Sequence, residues 1–197
     1  MDFTLYHDLD AAGPRWLDDL FAWLATYLPA VVVVIVALLF LVPWARQRLP
    51  RRQGAVTGTI AAALALAINQ PIAHAVDRTR PYLTHPHAQL LIGRSHDPSF
   101  PSDHATGAFA IAVAMWFYDR VAGTVLLMLA VVLSFARVYA GTHYPSDVVG
   151  GAAIGAAVAL LLRLPALRRA LERLAQLFAT VWDRLVAVVY RPRAARR

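Results

Sequence analysis

The sequence predicts an all-α fold: a polytopic transmembrane helix bundle of about five spanning helices, followed by a C-terminal amphipathic helix. Three observations carry this expectation. Hydrophobic residues make up 59% of the chain, five apolar stretches approach the length of a bilayer-crossing helix, and the C-terminal region repeats apolar residues at helical spacing with charges between them. At 197 residues and a mean hydropathy of +0.52, the chain is too apolar for an ordinary soluble domain and too short for two. One membrane domain over 1–197 is expected, with its chemical core between 69 and 155.

A hydrocarbon core of roughly 30 Å needs about 20 apolar residues in a helix. The stretches that approach this are 20–42, 55–76, 105–117, 122–140 and 148–164. The first follows an acidic start, Asp2, Asp8 and Asp10, so it is expected to stay as a spanning helix rather than leave with a signal peptide. The third is short unless the small polar residues from Ser102 onward form its first turn, which then lies at the membrane surface. In 166–190, Leu167, Leu171, Leu174, Phe178, Val181 and Leu185 recur with Arg168, Arg169, Glu172, Arg173 and Asp183 between them. That pattern suits a helix lying in the membrane interface.

The formal charge of +7 and 19 basic residues, every one of them Arg, raise the possibility of a nucleic-acid partner. The Arg residues flank apolar stretches instead of forming a soluble basic face, so they report topology and no nucleic-acid partner is expected. Arg46, Arg48, Arg51 and Arg52 follow the first stretch, Arg120 the third, and Arg163 opens a basic tail after the fifth. These segments are expected on the cytoplasmic side, which leaves 77–101 and 141–146 on the extracytoplasmic side. Cysteine is absent, which excludes disulfides, thiolate metal sites and a cysteine nucleophile.

The outer segments hold the candidate chemistry: Arg80-Pro81, then Pro101-Ser102-Asp103-His104, then Arg137 with His143 and Asp147. Ionisable groups at membrane depth are costly and mark functional sites by default. His143 and Asp147 are four residues apart, so on a helical turn the carboxylate is able to hold one ring nitrogen and leave the other to attack. Arg80 and Arg137 supply planar, bidentate donors for phosphate oxygens. Ser102 and the N–H groups opening the third helix offer an anion seat, and His104 is placed to protonate a leaving oxygen. Two His, two Arg and one Asp make a phosphoryl-transfer set that needs no metal or other cofactor. His74, His85, His87 and His96 fit no common structural zinc spacing. Arg94, Asp97 and Tyr139 are candidates for the substrate entrance, and Gly141, Gly150, Gly151 and Gly155 suggest close helix packing.

Three segments, AHAVDRTRP, PSDH and ARVYAGTHYPSD, resemble the signature motifs of the type 2 phosphatidic acid phosphatase family, which includes the vanadium haloperoxidases. The likeness runs from about Asn69 to Gly155. It implies a membrane phosphatase with phosphate held by Arg80, Arg137 and Ser102, general acid His104, nucleophile His143 passing through a phosphohistidine, and orienting partner Asp147. Three positions depart from the pattern: Ala73 where the family has Lys, Ala136 where it has Ser, and Asp103 where it has Gly. Arg78 is a candidate substitute for the missing cation, and Asp103 adds an acid beside the phosphate. The run SFPSDHATGAF resembles the undecaprenyl diphosphate phosphatases of the bacitracin-resistance type, which implies a polyprenyl diphosphate substrate in a bacterial cytoplasmic membrane, with the site on the extracytoplasmic face. Phosphatidate or phosphatidylglycerol phosphate as substrate, or a catalytically silent lipid-phosphate binder, stand as alternatives.

Overall fold

The computed structural model describes residues 14–42, 48–85 and 89–189; Asp2, Asp8, Asp10, Arg46, His87 and Tyr190 lie outside them. Six helices follow in order: α1 Arg15–Leu41, α2 Arg48–Val76, α3 Asp103–Trp116, α4 Arg120–Tyr139, α5 Pro145–Leu161 and α6 Pro165–Val189, with one further turn at Pro81–Thr84.

α3 is the hub, packed by α2, α4 and α5. Its sequence explains this position, because Ala105, Ala108, Ala110, Ala112 and Ala114 are all buried. Small side chains all round the helix let three neighbours approach. α5 comes closest: a Cβ at Gly151 would stand 2.5 Å from the Ser102 carbonyl oxygen, and one at Gly155 would run into the Thr106 carbonyl oxygen. These glycines are packing surfaces, as their sequence pattern suggested.

Among the described residues, α1, α4 and the α2 segment are long and apolar enough to cross a membrane independently. Apolar side chains such as Val33 at 62% exposure and Val149 at 67% face outward, as a bilayer solvent requires. α3 has 14 residues and α5 17, about 21 and 25 Å at 1.5 Å per residue, so they fall short of the core thickness. The fifth stretch ends at Leu161, before the expected 164, because the chain breaks there and Pro165 opens α6 at 86° to α5.

α6 does more than lie against lipid. Ala175 and Ala179 are buried, α6 packs on α2, Asp183 pairs with Arg52 at 3.0 Å, and Trp182 Nε1 donates to the Leu41 carbonyl at 3.3 Å. Arg52, expected as a flanking topology charge, is 1% exposed and also donates to the Phe40 carbonyl at 2.7 Å. At the same end Arg51 pairs with Asp119, which caps α4 by accepting from the N–H groups of Val121 and Ala122.

Candidate active site

The opposite end of the bundle gathers the polar motifs. Ser102 is the N-cap of α3 and fully buried, and its N–H donates to the Asp147 carbonyl at 3.0 Å, tying the start of α3 to α5. Its hydroxyl makes no hydrogen bond among the described residues. Nor does Nε of Arg137, a 9%-exposed guanidinium in the last turn of α4 whose terminal nitrogen reaches the Ala25 carbonyl at 3.5 Å. Buried polar atoms are ordinarily paired, and the hydroxyl of Ser102 and Nε of Arg137 are two buried donors left available at this end of the bundle.

Arg80 is held by three backbone carbonyls: Asp97 at 2.8 Å, Thr142 at 3.2 Å and Pro98 at 3.4 Å. Thr142 in turn donates through its hydroxyl to the Arg137 carbonyl at 2.8 Å. One residue thus braces the segments carrying both arginines. Both guanidinium groups lie within electrostatic reach of His104 and His143. His104 is half-buried at the first turn of α3.

His143 is 2% exposed. Its Nδ1 lies 2.8 Å from the Ser99 carbonyl oxygen, an acceptor only, so the proton sits on Nδ1 and Nε2 keeps its lone pair. Asp147 stands 3.7 Å from Nδ1, so the ring-holding contact anticipated for Asp147 is supplied by a backbone carbonyl. The reason is that Asp147 is spent elsewhere: Oδ2 accepts from the Tyr144 N–H at 2.8 Å, capping α5, and Oδ1 accepts from Arg78 at 2.8 Å. Burial pushes the His143 imidazole below its ordinary range, the charges of Arg137 and Arg80 add to this, and the Asp147 carboxylate opposes it.

Arg78 sits over the Tyr144 ring at 4.0 Å and donates to Ser146 as well as Asp147. The cation offered as a substitute for the missing Lys is therefore engaged with the carboxylate of Asp147, beside His143. Asp103 is exposed and accepts from Asn69 at 2.8 Å. Asn69 is wholly buried and also donates to Thr106 Oγ1 at 2.9 Å. Of the entrance candidates, Asp97 contributes a carbonyl to Arg80, and Tyr139 is bonded to Asp18 at 2.9 Å and packed on the Phe21 ring, which makes it a brace for α1. Among the described residues no group of three His, Cys, Asp or Glu is placed to hold a metal ion, His74, His85 and His96 included.

Sequence reasoning missed Ser99, Thr142 and Asn69. Ser99 holds His143, and Thr142 holds Arg80, through backbone carbonyls, which carry no side-chain signature. Asn69 was visible as a polar side chain, with Gln70 next to it, at the end of an apolar stretch.

A helical membrane bundle that brings two buried arginines, two histidines and an N-cap serine with an unpaired hydroxyl to one end has the parts of a membrane phosphoric ester hydrolase. The chain belongs to the PAP2 superfamily, whose family model matches residues 54–169. It is 32% identical over 145 residues to undecaprenyl-diphosphatase BcrC of Bacillus subtilis, covering 74% of this chain and 72% of the relative. It is 34% identical over 133 residues to putative undecaprenyl-diphosphatase YbjG of Escherichia coli, covering 67% of each. The fold matches the crystal structure of Aquifex aeolicus LpxE with a TM-score of 0.64 at 24% identity, over 81% of this chain and 92% of that one.

Proposed function

We propose that this phosphatase hydrolyses undecaprenyl or another polyprenyl diphosphate to the monophosphate, at the extracytoplasmic face of a bacterial cytoplasmic membrane, through a phosphohistidine on His143. The observation that carries this is the His143 ring, held at Nδ1 by the Ser99 carbonyl beside Arg80, Arg137 and the unpartnered Ser102 hydroxyl. The two relatives named as undecaprenyl-diphosphatases support the substrate. Arg51, Arg52, Arg120 and Arg163 all lie toward the other end of the bundle, which supports the sidedness.

In this mechanism the terminal phosphate binds with its oxygens on Arg80, Arg137 and the Ser102 hydroxyl. His143 Nε2 attacks phosphorus, an N–P bond forms, and the P–O bond to the lipid monophosphate breaks. His104 supplies the proton the leaving oxygen needs. A water then attacks the phosphohistidine, giving its proton to His104 and releasing inorganic phosphate. The arginines, buried with Ser102 and His143, stabilise charge on the transferring group.

Purified protein assayed on undecaprenyl diphosphate, phosphatidate and phosphatidylglycerol phosphate tests the substrate. The polyprenyl diphosphate is expected to give the highest kcat/KM, and a clear preference for either glycerolipid overturns the assignment. Binding of all three lipids with no phosphate release would make the protein a silent binder instead. A Cys introduced at Gln89 is expected to react with an impermeant thiol reagent in intact cells, and labelling only after lysis reverses the proposed face.

A further inference from the structure

Among the described residues a cavity of about 970 Å³ forms a groove that starts at Asp103 and His104 and runs down between α1 and α2 to α6. Its walls are apolar, with Val32, Val36, Ile60 and Leu66 along its length. From Gln70 near the top to Ala55 near the bottom, both lining residues of α2, the groove drops about 22 Å at 1.5 Å per residue. It opens sideways, where Val33 is 62% exposed.

The lower end is closed by α6. Phe178, Val181, Trp182 and Leu185 form the floor. α6 is pinned there at two points, by the Arg52–Asp183 ion pair to α2 and by the Trp182–Leu41 hydrogen bond to α1. The 86° turn after α5 is what carries the helix beneath the groove.

We infer that the hydrocarbon tail of the lipid phosphate descends this groove and that α6 is its floor, so that α6 sets how much tail contributes to binding. The inference rests on the lipid-phosphatase function proposed above. Continuity argues for the tail as occupant: the groove begins at the site's own His104, and no polar side chain interrupts it between Gln70 and α6 apart from Thr59. Each carbon buried against these walls adds affinity, until the tail meets Trp182 and Val181. Any further length must leave through the lateral opening into the bilayer, where it gains nothing from the protein.

The test uses geranyl, farnesyl, geranylgeranyl and undecaprenyl diphosphates, with para-nitrophenyl phosphate as a tail-free substrate. In the wild type, kcat/KM is expected to rise with tail length and then level off. Val181→Trp fills the lower groove, so the geranylgeranyl-to-geranyl ratio of kcat/KM is expected to fall about tenfold, the scale of a displaced apolar group. Gly107→Leu fills the upper groove. A Cβ there meets only Leu66 Cδ1, at 3.9 Å, so the added side chain starts in open space; with helical circular dichroism and melting temperature matched to wild type, the ratio of geranyl diphosphate to para-nitrophenyl phosphate is expected to drop. A geranylgeranyl analogue with a diazirine at the tail end is expected to label α6 in the unaltered protein, which keeps the test independent of either variant. Ratios unchanged in both variants, or labelling confined to helices other than α6, overturn the floor. Absence of phosphate release from every lipid by the wild type is a different result: it removes the proposed function, and this inference with it.

Discussion

His143 Nδ1 and the Ser99 carbonyl oxygen are 2.8 Å apart, while the carboxylate four residues along, Asp147, is 3.7 Å from the same nitrogen. The tautomer is therefore set by backbone, and the part proposed for Asp147 is that of a charge behind the ring. His143→Ala is expected to lower kcat by at least about a thousandfold, the scale of losing a nucleophile. Asp147→Asn leaves the Ser99 contact in place and is expected to cost about 10- to 100-fold, the scale of an outer partner. Equal losses in the two variants, measured as inorganic phosphate release, would contradict this ordering.

The buried imidazole also has a pH signature. Burial, with Arg137 and Arg80, holds His143 below the ordinary histidine range, and the proposed attack needs the neutral imidazole. The acid limb of kcat/KM is therefore expected below the usual value of about 6.5. Arg137→Gln removes one of the depressing charges, so its residual activity is expected to show that limb at higher pH than wild type. The same depression acts on folding. Between the folded and unfolded values the unfolded chain binds the extra proton, so the contribution of His143 to stability is full above about 6.5 and lost as pH falls through the folded value. An acid limb at or above the free-histidine range in wild type would count against the buried neutral nucleophile.

Arg78 and Asp147 form a part-buried pair, 29% and 0% exposed at their side chains, with the guanidinium stacked on Tyr144. If Arg78 works by positioning Asp147, Arg78→Gln and Asp147→Asn remove the same interaction, and the double variant should be little slower than the worse single. Direct binding of phosphate by Arg78 would instead give additive losses with a raised KM. A double-mutant cycle in kcat and KM separates the two.

How far the fold shows through the sequence depends on which atoms carry the signal. The long apolar stretches and the 3.6-residue periodicity of α6 are side-chain patterns, and the helices lie where those patterns put them, except that α5 stops at Leu161 where Pro165 turns the chain. The three polar motifs were legible by spacing, and they come together at one end of the bundle. The Arg52–Asp183 pair was not, since its partners are 131 residues apart and either one alone reads as a solvated charge. Nor was the Ser99 contact, because every residue has a carbonyl and none advertises which one a histidine will choose.

Gly151 offers a test of how tightly the catalytic end depends on helix packing. A Cβ there would lie 2.5 Å from the Ser102 carbonyl oxygen and 2.8 Å from Thr106 Oγ1, and the first of these is backbone that cannot rotate away. Gly151→Ala must therefore push α5 from the start of α3, moving Ser102 and His104 relative to His143 and Asp147. Misplacement of reacting groups by an ångström costs about a hundredfold in rate, while overpacking of this kind costs about 1–3 kcal/mol in stability. The variant is expected to retain its helical circular dichroism, melt at a lower temperature and lose most of its kcat. Gly93→Ala is the control, since a Cβ there meets nothing within 4 Å, and it is expected to match wild type in both measurements. A Gly151→Ala protein with wild-type kcat would show that the α3–α5 contact does not position the site.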